Sequence, residues 1–112
     1  MKHNIDGQNA EQAVSEFLTK KGYKILERNW KTVQCEIDVV AKRNGCIYFV
    51  EVKYRSSSQQ GTGYEYITST KQKQMSFAAN LWVAKNNWQG EYVLSAASVS
   101  GENYEVEFIE EI

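Results

Sequence analysis

The dipeptide Asn44-Gly45 restricts this chain more than any other feature. Asn-Gly between two apolar runs signals a two-residue hairpin turn, because both central residues must take positive φ. With these two residues as the loop, Arg43 faces Cys46. Counting outward then sets Asp38 opposite Glu51 and Glu36 opposite Lys53. Side chains two apart on a strand share a face, so all four are expected on one face of one hairpin. Opposed carboxylates destabilise a strand pair unless a positive charge lies between them. Among Val, Ile and Phe neighbours, an Asp and a Glu have no structural reason to face one another. A divalent cation between them is the expected resolution.

That expectation carries a chemistry. Mg²⁺ takes one or two carboxylates and fills its other positions with waters and substrate oxygens. It acts as a Lewis acid and acidifies bound water. Asp38 and Glu51 would be the metal carboxylates, with the Val52 backbone carbonyl as a further ligand. Lys53, two residues beyond Glu51, would orient or deprotonate an attacking water or stabilise a pentacovalent phosphate. Glu11, at the edge of a helical apolar stripe, would reach the ion through a water, and Lys71 would contact a phosphate. Each residue also has a plainer reading. Glu36 with Lys53 is an ordinary cross-strand ion pair, and a Glu in a first helical turn is favourable in any protein. Trp30, Trp82 and Trp88 read as core or rim aromatics rather than base-stacking platforms.

Periodicity supplies the scaffold. Ala10, Ala13, Val14, Phe17 and Leu18 form a helical stripe, with Asp6 the expected N-cap and Gly22 the C-terminal cap. His3 would lie in a frayed terminus. Strands are expected over 23–30, with Tyr23, Ile25 and Glu27 on one face, and over 33–42 and 46–55 for the hairpin. Residues 56–63 read as a polar loop. A second helix begins near Ser69 or Thr70 and runs to Asn86. Its core stripe is Met75, Ala78, Ala79 and Trp82, which Lys71 extends toward the sheet. After a turn over 87–90, strands are expected over 91–100 and 103–110. The order is α-β-β-β-α-β-β.

With 112 residues and no linker or repeat, the whole of 1–112 reads as one domain. No apolar run is long enough to span a membrane, and the N-terminus lacks a secretion signal's apolar core. The expected location is cytoplasmic, with no membrane partner. The net charge of −1 argues against nonspecific coating of nucleic acid but not against a nuclease, whose metal brings positive charge. Cys35 and Cys46 would sit about 25 Å apart along the ladder, far beyond the roughly 7 Å of a disulfide. Both read as free thiols.

Four segments carry a family resemblance. They are Gly7-Gln8-Asn9-Ala10-Glu11 with Ala13, residues 22–30 (Gly-Tyr-Lys-Ile-Leu-Glu-Arg-Asn-Trp), Glu36-Ile37-Asp38-Val39-Val40, and Phe49-Val50-Glu51-Val52-Lys53-Tyr54-Arg55. Together they closely resemble the YraN-like family of bacterial proteins, regarded as predicted endonucleases distantly related to archaeal Holliday junction resolvases. The resemblance implies an α/β fold with a restriction-endonuclease-like core of the PD-(D/E)xK type, a central mixed β-sheet flanked by helices. It implies an acid of the first helix at Glu11, a metal-binding Asp at Asp38, and the Glu-x-Lys pair at Glu51 and Lys53. Lys71 and Arg55 are the substrate-binding candidates, Mg²⁺ or Mn²⁺ the cofactor, and nucleic acid, DNA foremost, the partner. A homodimer through the strand at 103–110 follows from the symmetric cutting of resolvases. Two departures stand out. Cys35 replaces the usual Gly before Glu-Ile-Asp, and Tyr92-Val93-Leu94-Ser95-Ala96 lacks the Arg and Asp of a later strand. A metal-dependent nuclease acting on DNA, branched structures included, is the leading expectation. A non-catalytic nucleic-acid binding or assembly module with the same fold is the alternative, and a structural partner protein is a third.

Overall fold

The computed structural model describes residues 2–56 and 64–112. The loop expected over 56–63 lies, apart from Ser56, outside the described residues. The elements are α1 (Lys2–Lys20), β1 (Lys24–Lys31), β2 (Glu36–Arg43), β3 (Cys46–Arg55), α2 (Ser69–Asn86), β4 (Glu91–Ser100) and β5 (Glu105–Ile109). The five strands form one mixed sheet in the order β1-β2-β3-β4-β5. Neighbours run antiparallel except β3 and β4, which are parallel and joined through α2. A parallel pair needs a long crossover, and α2 supplies it. The result is the expected α/β fold.

Each face of the sheet is covered by one helix. Ala10, Val14 and Leu18 of α1 pack on Val39, Ala41, Tyr48, Val50, Ala97 and Val99. Ala78, Ala79 and Trp82 of α2 pack on Val40, Ile47 and Phe49. The hydrophobic effect thus fixes both helices through stripes readable at helical spacing. The ends are fixed locally. Gly22, at φ +93°, closes α1, with Tyr23 N–H donating to the Leu18 carbonyl and Gly22 N–H to that of Thr19. Thr68 caps α2, its hydroxyl accepting from Lys71 N–H. Asn44 and Gly45 take φ of 53° and 78°, the turn conformation the dipeptide demands. Among the described residues no helix is long and apolar enough to cross a membrane.

Four sequence expectations are corrected. Helix α1 begins at Lys2, so it takes in His3 and places Asp6 inside the helix. Asp6 is an anchor instead of a cap, accepting from the Tyr104 hydroxyl at 3.1 Å. Strand β2 begins at Glu36, not at residue 33. Thr32 Oγ1 accepts from the N–H groups of Gln34 and Cys35 and shapes a turn there, leaving Val33 exposed. Strand β5 begins at Glu105, after Tyr104 in the left-handed region at φ 52°. Finally, Glu27 does not share a face with Tyr23 and Ile25. The β1–β2 register shifts between Ile25 and Glu27, and this bulge turns the Glu27 carboxylate to the α2 side. There it accepts from the Trp82 indole N–H at 2.6 Å.

Candidate active site

The hairpin register holds as counted from Arg43↔Cys46 to Val39↔Val50, and then the ladder stops. Alternation along an antiparallel pair would make Ile37 and Val52 the next to exchange hydrogen bonds. Instead, Val52 N–H donates to Asp38 Oδ2 at 2.8 Å. A side-chain carboxylate has taken the place of a backbone carbonyl. Beyond this point β2 stays with β1 through Trp30↔Ile37 and Lys31↔Glu36, while β3 stays with β4 through Val52↔Ala97 and Lys53↔Ser98. The face alternation slips here as well: Val39 belongs to the α1-side core and Ile37 to the α2-side core. The sheet therefore forks at Asp38 and Glu51. The N–H and C=O of one residue leave a strand on the same edge, so the Val52 carbonyl faces this fork.

The fork changes two pairings expected from simple counting. Asp38 and Glu51 flank an opening and are not partners in a ladder. Glu36 is paired across to Lys31 in β1, so it does not oppose Lys53. Lys53 is exposed and, among the described residues, in no ion pair. The cation on Glu51 is Lys71, with Nζ 3.2 Å from Glu51 Oε2. The phosphate-binding candidate from α2 is thus held against a candidate metal ligand. Arg55 ends β3, its carbonyl accepting from Gly101 N–H.

The acids sense one another. Asp38 is pushed up to about 7, first by burial and then by the Glu51 charge, with Glu11 and Glu36 adding to the rise and the Val52 N–H opposing it. Glu11, reaching in from α1, is also raised. Burial is the main cause and Glu36 contributes, while a hydrogen bond from Asn29 and the charges of Arg28 and Lys31 pull the other way. Glu11 Oε1 is buried and, among the described residues, has no hydrogen-bond partner. The charges of Glu51, Glu11 and Glu36 thus all act on Asp38, while Lys71 answers Glu51 and Arg28 and Lys31 answer Glu11.

Two residues that pattern reading passed over join them. The Tyr66 hydroxyl donates to the Glu51 carbonyl at 3.4 Å, and burial together with Glu51, Tyr64 and Asp38 raises its pKa strongly. Asn29 sits at φ 52° in β1 beside Glu11. An Asn inside a strand run is the one sequence signal that marked it. Nothing in the spacing of Tyr66 pointed toward the fork.

Among the described residues no group of three or more His, Cys, Asp or Glu side chains is disposed to hold a metal. Two carboxylates and a carbonyl are too few and too hard for a structural zinc site. They suit a cation that keeps most of its waters. Hard oxygen donors of this kind are those that Mg²⁺ and Mn²⁺ take.

The departures have local accounts. Ser95 is fully buried in β4, and its hydroxyl donates to the Glu110 carbonyl at 2.6 Å, fastening the C-terminal segment. Cys35 and Cys46 are both free thiols. Cys35 Sγ lies 3.5 Å from Thr32 Oγ1 in the β1–β2 turn. Trp82 is buried, and Trp30 and Trp88 pack partly buried against the α2-side core.

The model of the uncharacterised protein family UPF0102 matches residues 10–107, a span that includes every residue of the fork. A UPF0102 protein of Cytophaga hutchinsonii is 34% identical over 110 residues, covering 98% of this chain and 97% of its own. One of Trichlorobacter lovleyi is 47% identical over 81 residues, covering 71% and 64%. One of Symbiobacterium thermophilum is 42% identical over 79 residues, covering 70% and 67%.

Proposed function

The chain belongs to the UPF0102 family, and from that premise we propose that it is a metal-dependent nuclease hydrolysing DNA phosphodiester bonds. The observation that carries the reading is Asp38 standing in for a backbone carbonyl at the fork, with Glu51 beside it. A sheet gives up a ladder bond there and gathers acids instead. A buried acid raised by desolvation and by a neighbouring acid is a functional-site candidate.

In this reading Asp38, Glu51 and the Val52 carbonyl would hold Mg²⁺ or Mn²⁺, with Glu11 assisting through a water. The ion supplies Lewis acidity at the phosphate and acidifies water. Lys53, exposed at the fork, orients the attacking water and bears against the negative charge that grows on phosphorus. Water oxygen bonds to phosphorus as one ester P–O bond breaks, leaving a phosphate monoester and an alcohol. Lys71 and Arg55 steady the flanking phosphates, Lys71 after leaving Glu51. The protein acts in the cytoplasm, and two copies meet through the β5 edges so that two strands are cut together.

A second reading has one observation in its favour. Lys71 already neutralises Glu51, as suits a binding or assembly module that keeps the fold without turnover. Calorimetric titration with Mn²⁺ separates the two. The nuclease reading expects binding that Asp38→Asn abolishes, and cleavage of nicked, forked or four-way DNA that Glu51→Ala abolishes. DNA bound but uncut by wild type and Lys53→Ala alike would leave the second reading standing.

A further inference from the structure

We propose that the cleft between the β1–β2 turn and the first half of α2 receives an unpaired nucleobase of the bound strand, making DNA with single-stranded segments the preferred substrate. The inference rests on the nuclease reading and gives its substrate class.

The cleft has a volume of ≈ 480 Å³ and is lined by Gln34 from the turn, by Glu36 at the start of β2 and by Thr70, Lys73, Gln74 and Phe77 from α2. That size suits a small organic group. Two lining residues tie the cleft to the acids: the charge of Glu36 acts on Asp38, and Thr70 adjoins Lys71, whose ammonium rests on Glu51. From Thr70 to Phe77 the helix advances about 10 Å, room for one or two nucleotides beside the scissile phosphate.

The lining chemistry selects a base. Phe77 is 50% exposed, and with Lys73 it also lines a second cleft on the other side of α2, so its ring stands on the ridge between the two. An aromatic ridge offers a stacking surface to any base, because every base has a π face. Gln34 and Gln74 each bring an amide donor and an amide acceptor. Such groups match a base's pairing edge only when that edge is free, as in single strands or flipped nucleotides. Among the described residues the cleft is lined by one cation, Lys73, and one acid, Glu36. It is too nearly neutral to follow the doubly charged backbone of a duplex.

The test measures binding of fluorescent DNA to Lys53→Ala protein in Mn²⁺, and cleavage by wild type. A blunt duplex is compared with the same duplex bearing a single-stranded flap and with a fully paired four-way junction. The flap is expected to bind about tenfold or more tightly than either paired DNA, the scale of one base–aromatic stack. Phe77→Ala and Gln74→Ala should erase that preference, and Phe77→Tyr should keep it. All three should leave melting temperature, Mn²⁺ affinity and blunt-duplex affinity unchanged. Equal binding of flap and paired DNAs by the Lys53→Ala protein, or a preference that survives both alanine changes made in it, overturns the inference. Cleavage of paired DNA without flap preference overturns it while sparing the nuclease reading. Absence of DNA binding and cleavage overturns both.

Discussion

Asp38 does two jobs that pull against each other. Its oxygen completes the hydrogen bonding of Val52, and its charge is poorly placed among Glu51, Glu11 and Glu36. Its pKa is raised from 3.8 to about 7. The sign follows from linkage: stability tied to this group is fully present below the unfolded value and is lost as pH rises through the folded one. Asp38→Asn keeps an acceptor for Val52 and removes the charge. In chelator the variant should therefore exceed wild type by roughly 1–3 kcal/mol at about pH 8 and converge with it near about pH 4. Urea denaturation across that range checks this. An unchanged pH slope would mean that Asp38 is not the titrating group. The same variant should lose Mn²⁺ binding, so a residue that weakens the fold near neutrality is also the one the proposed metal site needs.

At the scale of elements, the β1 bulge makes the next prediction. It aims Glu27 at Trp82, joining the sheet to α2 through one hydrogen bond. Glu27→Ala leaves the indole N–H without its partner under the helix, which should destabilise by about 1–3 kcal/mol. Glu27→Gln should recover most of the loss, and thermal melts of both decide it. Much of this layer was legible. Asn44-Gly45 fixed the hairpin because its turn chemistry is local, and the α2 stripe was visible because helical burial repeats. The bulge and the fork were not legible, because each depends on which neighbour a strand follows. Beyond Asp38, β2 keeps to β1 and β3 keeps to β4, and no spacing within a hairpin encodes that choice. For the same reason Glu11 and Asp38 were readable as candidates, whereas Lys71 on Glu51 and Tyr66 beside it came from packing.

Over the whole molecule, the near-zero net charge conceals a lopsided distribution. Edge strand β1 exposes Lys24, Arg28 and Lys31, while the opposite end exposes Glu102, Glu105, Glu107, Glu110 and Glu111. An anionic polymer is repelled from the β5 side and has to approach the fork from the other. Of the cations on that side, Lys53, Arg55, Lys71 and Lys73 belong to the proposed DNA site, while Arg28 and Lys31 answer Glu11. DNA affinity should therefore fall with log salt at a slope of roughly −3 to −4, as for about four phosphate contacts. Anisotropy titrations at several salt concentrations measure the slope. A much steeper one would place the footprint on another surface.

The amide proton of Val52 gives the fork a gauge of its own. It is tied to an oxygen that an arriving ion would also claim, so its resonance and its exchange with heavy water should move when Mn²⁺-mimicking diamagnetic Mg²⁺ is added, while the amides of Val50 and Phe49 stay still. Occupancy could then be followed at one peptide group in the resting protein, before any nucleic acid is supplied.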